Sequence, residues 1–146
     1  MSAGNELKEY NHLHSEMGAV YHEAALRAGL SDSVMNILYT VVTLGEDCTQ
    51  ATICALSGIS RQTINSAIRK LEREGMVYLE NQGGKHRPIR LTQKGQALAQ
   101  EKVLPMVRAE EAIFAAWPQE DREALMRLTS QYLEDFKKNL EEVQRL

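Results

Sequence analysis

Residues 60–75 read Ser60-Arg-Gln-Thr-Ile-Asn-Ser-Ala-Ile-Arg-Lys-Leu-Glu-Arg-Glu-Gly75, and this stretch decides the fold of the whole chain. A serine such as Ser60 is typical of a helix N-cap, and a glycine such as Gly75 is typical of the point where a helix ends. The residues between them are mostly good helix formers. The pattern therefore predicts a helix from Ser60 to Glu74.

The two faces of this predicted helix differ in chemistry. Its apolar residues recur at steps of three and four and form a core-facing stripe: Ile64, Ala67, Ile68 and Leu71. The opposite face carries guanidinium, carboxamide and hydroxyl groups from Arg61, Gln62, Asn65, Ser66, Arg69 and Arg73. Such groups bind phosphates and base edges in a DNA major groove. We therefore interpret the stretch as a recognition helix.

The residues before Ser60 have the spacing of a helix-turn-helix. Residues 49–56 predict a first helix, Gly58 falls at the turn, and Cys54 supplies a small side chain four residues earlier. Apolar residues stand where the two helices would touch: Ile53, Ile59, Ile64 and Ala67. An ordinary amphipathic helix with a solvated basic face is the alternative. It does not explain why the turn glycine, the small residue and the capping serine fall in register.

A β-hairpin is predicted directly after the recognition helix. Residues 76–80 indicate one strand, residues 81–84 its turn and residues 87–91 the return strand. Pro88 cannot donate to a strand ladder, so the return strand is expected to be an edge or bulged there. Such a hairpin is a wing, and its tip carries groups that reach phosphates or the neighbouring minor groove: Lys85, His86 and Arg87.

The charge of the chain is distributed unevenly. The formal net charge is −3, but residues 60–95 hold eight basic and three acidic side chains, a net charge of +5. The remainder is strongly acidic. A basic segment in an acidic body turns its positive face to a phosphate backbone and repels that backbone elsewhere.

Two helices are predicted before the helix-turn-helix. The first continues to Gly29, and the second begins at the cap Ser31 and stops at Gly45. Residues 46–48 are expected to form a short connection, with a short strand as the alternative. The first helix has a narrow apolar stripe of Leu7, Tyr10, Leu13, Met17, Val20, Tyr21 and Ala24.

Further helices are predicted after the wing. Thr92 caps a long helix that Pro105 must kink or break, and Pro118 is expected in the first turn of the last helix. The last helix has an apolar stripe of Leu125, Leu128, Tyr132, Phe136, Leu140 and Val143. Because the stripes of the first and last helices have no obvious partner within one chain, we expect a homodimer.

Composition restricts the class of protein. A chain of 146 residues is long enough for one ordinary domain with its own core. No apolar run is long enough to span a bilayer, and the first residues do not resemble a secretion signal, so we expect a cytoplasmic protein without a membrane partner. Cys48 and Cys54 lie six residues apart on different faces, a spacing that disfavours an internal disulfide.

The order of these elements and five motifs resemble the multiple-antibiotic-resistance regulator (MarR) family. The motifs are Thr49-Gln50, Ser60-Arg-Gln-Thr-Ile-Asn, Leu71-Glu-Arg-Glu-Gly-Met-Val, Leu91-Thr-Gln-Lys-Gly and Glu110-Glu-Ala-Ile-Phe-Ala-Ala. The resemblance implies one mainly α domain, residues 1–146, with a small β-hairpin wing. Residues 31–92 would form the winged helix-turn-helix lobe, and residues 6–28 and 93–146 the dimerisation helices that flank it.

The resemblance also implies a function and a site. The chain would regulate transcription by binding a pseudo-palindromic operator in double-stranded DNA as a homodimer. Residues carried over to the DNA interface are Ser60, Arg61, Gln62, Thr63, Asn65, Ser66, Arg69 and Lys70, with Lys85 and Arg87 on the wing. The chain departs from the family where it has Gly83-Gly84-Lys85-His86-Arg87 instead of an aspartate-arginine pair, and where Ser66 replaces a frequent arginine.

Relatives of this kind often bind small aromatic or phenolic molecules, frequently anionic, and release DNA in response. The resemblance therefore implies a ligand-responsive repressor. The first two helices offer aromatic, imidazole and thioether groups for such an effector: Tyr10, His14, Met17, Tyr21, Met35 and Tyr39. Ordinary core packing is the alternative role for these side chains.

Other chemistry is weaker in the sequence. His12, His14 and His22 do not share a helix face, so no metal or other cofactor is expected. Cys48 lies near a helix start, which can lower a thiol pKa, so a redox-responsive regulator is an alternative function. A winged helix that binds another protein is a second alternative. No serine-histidine-acid or paired-carboxylate pattern indicates an enzyme.

Overall fold

The computed structural model describes residues 2–145, which form a mainly α fold with a two-stranded wing. This confirms the predicted fold class. The elements are α1 (Ala3–Arg27), α2 (Asp32–Leu44), α3 (Gln50–Ser57), α4 (Arg61–Arg73), β1 (Val77–Leu79), β2 (Ile89–Leu91), α5 (Gln93–Lys102), α6 (Leu104–Ala116) and α7 (Gln119–Gln144). The chain divides into two compact units, Met1–Val107 and Arg108–Leu146.

The core of the first unit is built on the apolar faces of α2 and α4. Ile37 and Leu38 of α2 are completely buried, as are Ile64, Ile68 and Leu71 of α4. Burying side chains of this size is worth about 1.5–3 kcal/mol each. This confirms the core-facing stripe predicted for α4, and it turns the polar face of the same helix outward.

Each helix of the winged lobe begins at a side-chain cap. The hydroxyl groups of Ser31, Thr49, Ser60 and Thr92 each accept a hydrogen bond, 3.0–3.3 Å long, from the backbone amide three residues further on. Gly58, with φ 68°, ends α3 in the left-handed conformation and redirects the chain toward α4. The predicted caps and turn are therefore confirmed.

The connection before α3 is not a strand. Residues Gly45–Asp47 form one turn of 3-10 helix, and only Cys48 is extended. The Cys48 carbonyl oxygen accepts one hydrogen bond, 2.7 Å long, from the Ile89 amide of β2. The strand alternative for residues 46–48 is wrong because the tight turn leaves a single extended residue to pair with the wing.

The wing is shorter than its sequence predicts. Its strands pair in antiparallel register, with Tyr78 opposite Arg90. The predicted return strand from Arg87 is wrong in its first two residues, because Pro88 has no amide and can only accept a hydrogen bond from the Glu80 amide, 2.9 Å away. Residues 81–87 form a loop that includes Gly83 at φ 81°.

The base of the wing is held by Thr92 and Gly95. The Thr92 hydroxyl oxygen lies 2.6 Å from the Gly75 carbonyl oxygen and 3.1 Å from that of Met76, while it also accepts from the Gly95 amide. A β-carbon on Gly95 would lie 2.8 Å from the Met76 carbonyl carbon and would overlap the carbonyl oxygen. Only glycine therefore allows α5 to approach the start of β1 this closely.

The helix after the wing is interrupted next to Pro105, as the sequence predicted. Val103 ends α5, and Pro105 stands in the first turn of α6. Pro118 is the N-cap of α7 and lies one residue before the helix, not in its first turn as expected. None of the helices described between residues 2 and 145 combines the length and apolar character that a bilayer span requires.

The apolar stripes of α1 and α7 are exposed. Ala25 is the one buried residue of α1, and Met17 is 52% exposed. In the second unit, the described part of α7 buries no residue, and Phe136 is 54% exposed. Each stripe therefore leaves large apolar side chains available to another surface.

Replacing Gly95 with alanine should destabilise the fold because the new methyl group meets backbone that cannot move independently. We expect a loss of about 1–3 kcal/mol in the free energy of unfolding, measured by urea titration followed by circular dichroism. Gly4→Ala is the matched control, because Gly4 is also helical but a β-carbon there meets nothing closer than 4.0 Å. Equal stability of the two variants would contradict the close approach at Met76.

Candidate nucleic-acid interface

A groove of about 670 Å³ lies between α4 and the wing. From α4 it is lined by Arg61, Asn65 and Arg69, which recur at steps of four along one side of the helix. From the wing it is lined by Lys85 and Arg87. The structure therefore brings five of the predicted interface residues to one concave surface.

The remaining predicted residues of α4 lie on its other flank. Gln62, Thr63, Ser66 and Lys70 line a shallower groove of about 420 Å³ against the start of α2. Ser60 acts as the cap of α4, and its hydroxyl oxygen lies 2.8 Å from that of Thr63. These two hydroxyl groups are therefore occupied within the helix, whereas Gln62, Ser66 and Lys70 are exposed on its outer side.

Gln62 and Arg73 lie on nearly the same side of α4. At 100° per residue, Arg73 lies within about 20° of Gln62 around the helix axis. Arg73 is exposed. It therefore extends the outer ridge of α4 beyond Lys70, where the predicted site ended.

Most cations of this surface have no acidic partner. Within residues 2–145, no ion pair within 4.0 Å involves Arg61, Arg69, Lys70, Arg73, Lys85 or Arg87. The other two basic side chains of residues 60–95 have structural roles. Arg90 binds Glu80 at 2.7 Å, a hydrogen bond that raises the arginine pKa further, and the Lys94 ammonium donates to the Glu74 carbonyl at 3.0 Å. The positive charge on the exposed side is thus left for an external anion.

Six further residues of the large groove were not among the predicted site residues, and three of them carry polar groups that matter for binding. Gln50 of α3 lines the groove, and its amide donates a 3.3 Å hydrogen bond to the Arg61 carbonyl. His86 lines it from the wing, and Glu72 lines it from α4. The helical period offered a signal for Glu72, since a residue eleven positions after Arg61 returns to the same side. A carboxylate here can accept a hydrogen bond from the amino group of cytosine.

A separate cavity of about 420 Å³ lies in the first unit among α1, α2 and the turn after α3. Of the residues predicted for an effector, Tyr21, Met35 and Tyr39 line it. Tyr10, His14 and Met17 do not line this cavity. They lie nearer the start of α1, where the Tyr10 and His14 rings meet edge to face at 5.7 Å. The cavity is completed by Gly18, His22, Asp32, Asn36, Ser57, Ile59 and Met106.

Two of the three histidines of α1 pair with carboxylates. His12 lies 2.8 Å from Glu16, and His22 lies 2.8 Å from Asp32 at the start of α2. In the part of the chain that the structure describes, no three histidine, cysteine, aspartate or glutamate side chains are grouped to hold a metal ion.

The two cysteines differ in burial. Cys48 is completely buried, whereas Cys54 is only partly buried beside the core. Burial raises the pKa of the Cys48 thiol to about 11. The expectation that the nearby helix start lowers this pKa is wrong, because removing the thiolate from water outweighs the helix dipole.

Residues 28–88 match the MarR family by sequence. A search of curated proteins found no match to the chain. The matched segment contains α2, α3, α4 and the wing up to Pro88.

Solved structures share the fold over nearly the whole chain. A MarR family regulator from Neisseria meningitidis has a TM-score of 0.81 at 19% identity, covering 94% of this chain and 97% of that one. A MarR/EmrR family transcriptional regulator from Acinetobacter sp. ADP1 has a TM-score of 0.70 at 15% identity, covering 94% and 99%. The MepR–DNA complex of S. aureus has a TM-score of 0.65 at 18% identity, covering 87% and 93%. The resemblance to MarR-family winged-helix regulators is confirmed.

The burial of Cys48 predicts a large difference in thiol reactivity. At neutral pH a thiol with a pKa near 11 has a thiolate fraction roughly a hundredfold below that of an ordinary cysteine. In the folded protein at pH 8, iodoacetamide should therefore modify Cys54 at least tenfold faster than Cys48, as measured by mass spectrometry of the separated peptides. The unfolded protein is the control, where the two rates should converge. Faster modification of Cys48 in the folded state would refute its assignment as an inert thiol.

Proposed function

We propose that this MarR-family winged helix is a transcription regulator that binds specific sites in double-stranded DNA. The observation that carries the proposal is the surface formed by α4 and the wing. It combines the amide groups of Gln62 and Asn65 with six cations that have no acidic partner within residues 2–145. The related S. aureus MepR has been solved as a complex with DNA.

The surface separates into two kinds of contact. An α-helix is about 10–12 Å wide, which fits a DNA major groove about 12 Å wide. Arg61, Asn65 and Arg69 would then face base edges, where arginine favours guanine and asparagine favours adenine. Lys85 and Arg87 lie across the groove on the wing and would bind phosphates, which fix position without reading sequence.

We further propose that the protein acts as a homodimer on a pseudo-palindromic operator. The exposed apolar stripes of residues 6–28 and 93–146 supply the dimerisation surface. Two-fold symmetry would present two copies of α4 to two half-sites. This arrangement is supported by the exposure of Met17 on α1 and Phe136 on α7.

Repression controlled by a small ligand is the mode of regulation that we favour. The cavity among α1 and α2 is also lined by Ser57, which ends α3, and by Ile59, which lies in the turn before α4. A ligand that binds there and favours one setting of this turn would change DNA affinity, and DNA would change ligand affinity by the same factor. The burial of Cys48 argues against a thiol switch. The amide groups of Gln62 and Asn65 beside the cations of α4, on a helix of major-groove width, favour DNA over a protein partner.

Alanine at both Arg61 and Arg69 should abolish preference for the cognate site. Each lost base contact is worth about 1–3 kcal/mol, so the double variant should fall to the affinity of random DNA, measured by fluorescence anisotropy at fixed salt. The matched control replaces Lys8 and Lys138, two exposed cations outside this surface, and should bind like the wild type. Unchanged affinity in the Arg61/Arg69 variant would refute the proposed interface.

Alanine at Lys85 or Arg87 should have a different signature. Loss of a phosphate contact weakens all DNA sequences alike and reduces the slope of log affinity against log salt concentration by roughly one. The same anisotropy titrations at four or five salt concentrations measure this slope. A sequence-dependent loss with an unchanged slope would instead place the wing on base edges.

Placing a charge in the stripe of α7 should separate the dimer. Phe136→Glu would bury a carboxylate at the proposed interface, so sedimentation at micromolar concentration should show a monomer with retained helix content. Lys138→Glu is the control, because Lys138 lies on the side of α7 opposite to Phe136. This variant should remain dimeric although the substitution changes the net charge by two. A monomeric wild-type protein would rule out the dimer.

A further inference from the structure

The cavity among α1, α2 and the turn before α4 is lined on its polar side by a carboxylate and an imidazole. Among the described residues that line it, the one carboxylate is that of Asp32, whose two oxygens lie 2.8 Å and 2.9 Å from Nδ1 of His22. The same lining contains no lysine or arginine. The lining therefore combines one carboxylate and one imidazole with no ammonium or guanidinium group.

The rest of the wall is apolar or aromatic. Met35, Ile59 and Met106 supply thioether and alkyl groups, and Tyr21 and Tyr39 supply rings. Methionine side chains adapt to ligands of different shape, and tyrosine rings attract cations over their faces. The volume of about 420 Å³ lies in the range of small-molecule sites.

We propose that this cavity binds an amphipathic organic cation, such as an aromatic amine, and not the anionic aromatic that the family resemblance implied. The ammonium group would lie at the Asp32 carboxylate, and the apolar part would pack against Met35 and Met106. An anion would have to lose water beside the Asp32 carboxylate, with no lysine or arginine in the described lining to bind it. This inference rests on the proposed function only for its consequence, namely a change in DNA binding.

The position of the cavity would allow a bound ligand to change DNA binding. The Ser57 hydroxyl accepts a 3.2 Å hydrogen bond from the Ile59 amide, which closes the turn between α3 and α4. The same two residues line the cavity, as do Asp32 and His22, which join α2 to α1. A ligand that spans the cavity therefore contacts both the dimerisation helix and the turn that sets the start of α4.

The test uses three indole compounds that differ mainly in charge: tryptamine (cation), indole-3-ethanol (neutral) and indole-3-acetate (anion). Each is titrated by calorimetry into the full-length protein without DNA, at pH 8. We expect tryptamine to bind at least tenfold more tightly than indole-3-acetate, with indole-3-ethanol between them.

Two variants locate the effect. Asp32→Asn should remove the preference for tryptamine, because it keeps the shape of the side chain and deletes its charge. Asp47→Asn is the matched control, an exposed aspartate in the 3-10 turn, and should keep the preference. Thermal melts establish that both variants are folded.

Several outcomes would overturn the proposal. These are equal or tighter binding of indole-3-acetate, an undiminished preference in Asp32→Asn, or no binding of any of the three at millimolar concentration. DNA binding of the same preparations, measured without ligand, separates this inference from the proposed function. Intact DNA binding with no tryptamine preference would refute the cationic ligand alone, whereas loss of DNA binding in the wild type would refute the regulator.

Discussion

The structure depends on a close approach between backbones at the base of the wing. The Thr92 hydroxyl lies within hydrogen-bond distance of the Gly75 and Met76 carbonyl oxygens, and Gly95 leaves room for α5 against Met76. These contacts join the end of α4, the start of β1 and the start of α5. They therefore fix the start of β1 against the end of α4, which helps to set the separation of α4 from the wing.

The protein is acidic as a whole, yet the surface formed by α4 and the wing is basic. Residues 60–95 hold eight basic side chains, but Arg90 and Lys94 serve the fold, one through Glu80 and the other through the Glu74 carbonyl. The other six have no ion-pair partner among the described residues. Leaving charges unpaired costs little stability at a solvated surface. These unpaired side chains remain free to bind a phosphate backbone. The acidic remainder of the chain would repel that backbone and so disfavour other orientations of the protein on DNA.

Local patterns predicted the local structure well. The caps at Ser31, Ser60 and Thr92, the turn at Gly58 and the buried stripe of α4 follow from residues within one or two helical turns, and all are confirmed. Features that depend on distant partners were predicted less well. The burial of Cys48 comes from its contact with β2, far along the chain, and its raised pKa follows from that burial. The cavity includes Tyr21 but not Tyr10, because only tertiary packing decides which part of the α1 stripe meets α2. The assignment of the interface residues to DNA remains a proposal.

The central claim is that α4 and the wing read double-stranded DNA. Selection of bound fragments from random duplex DNA, with the purified protein at a stated salt concentration, tests it most directly. The account predicts enrichment of a pseudo-palindrome whose half-sites are centred roughly 10 base pairs apart, about one helical turn. Recovery of fragments without any shared sequence, at a salt concentration that suppresses non-specific binding, would contradict it.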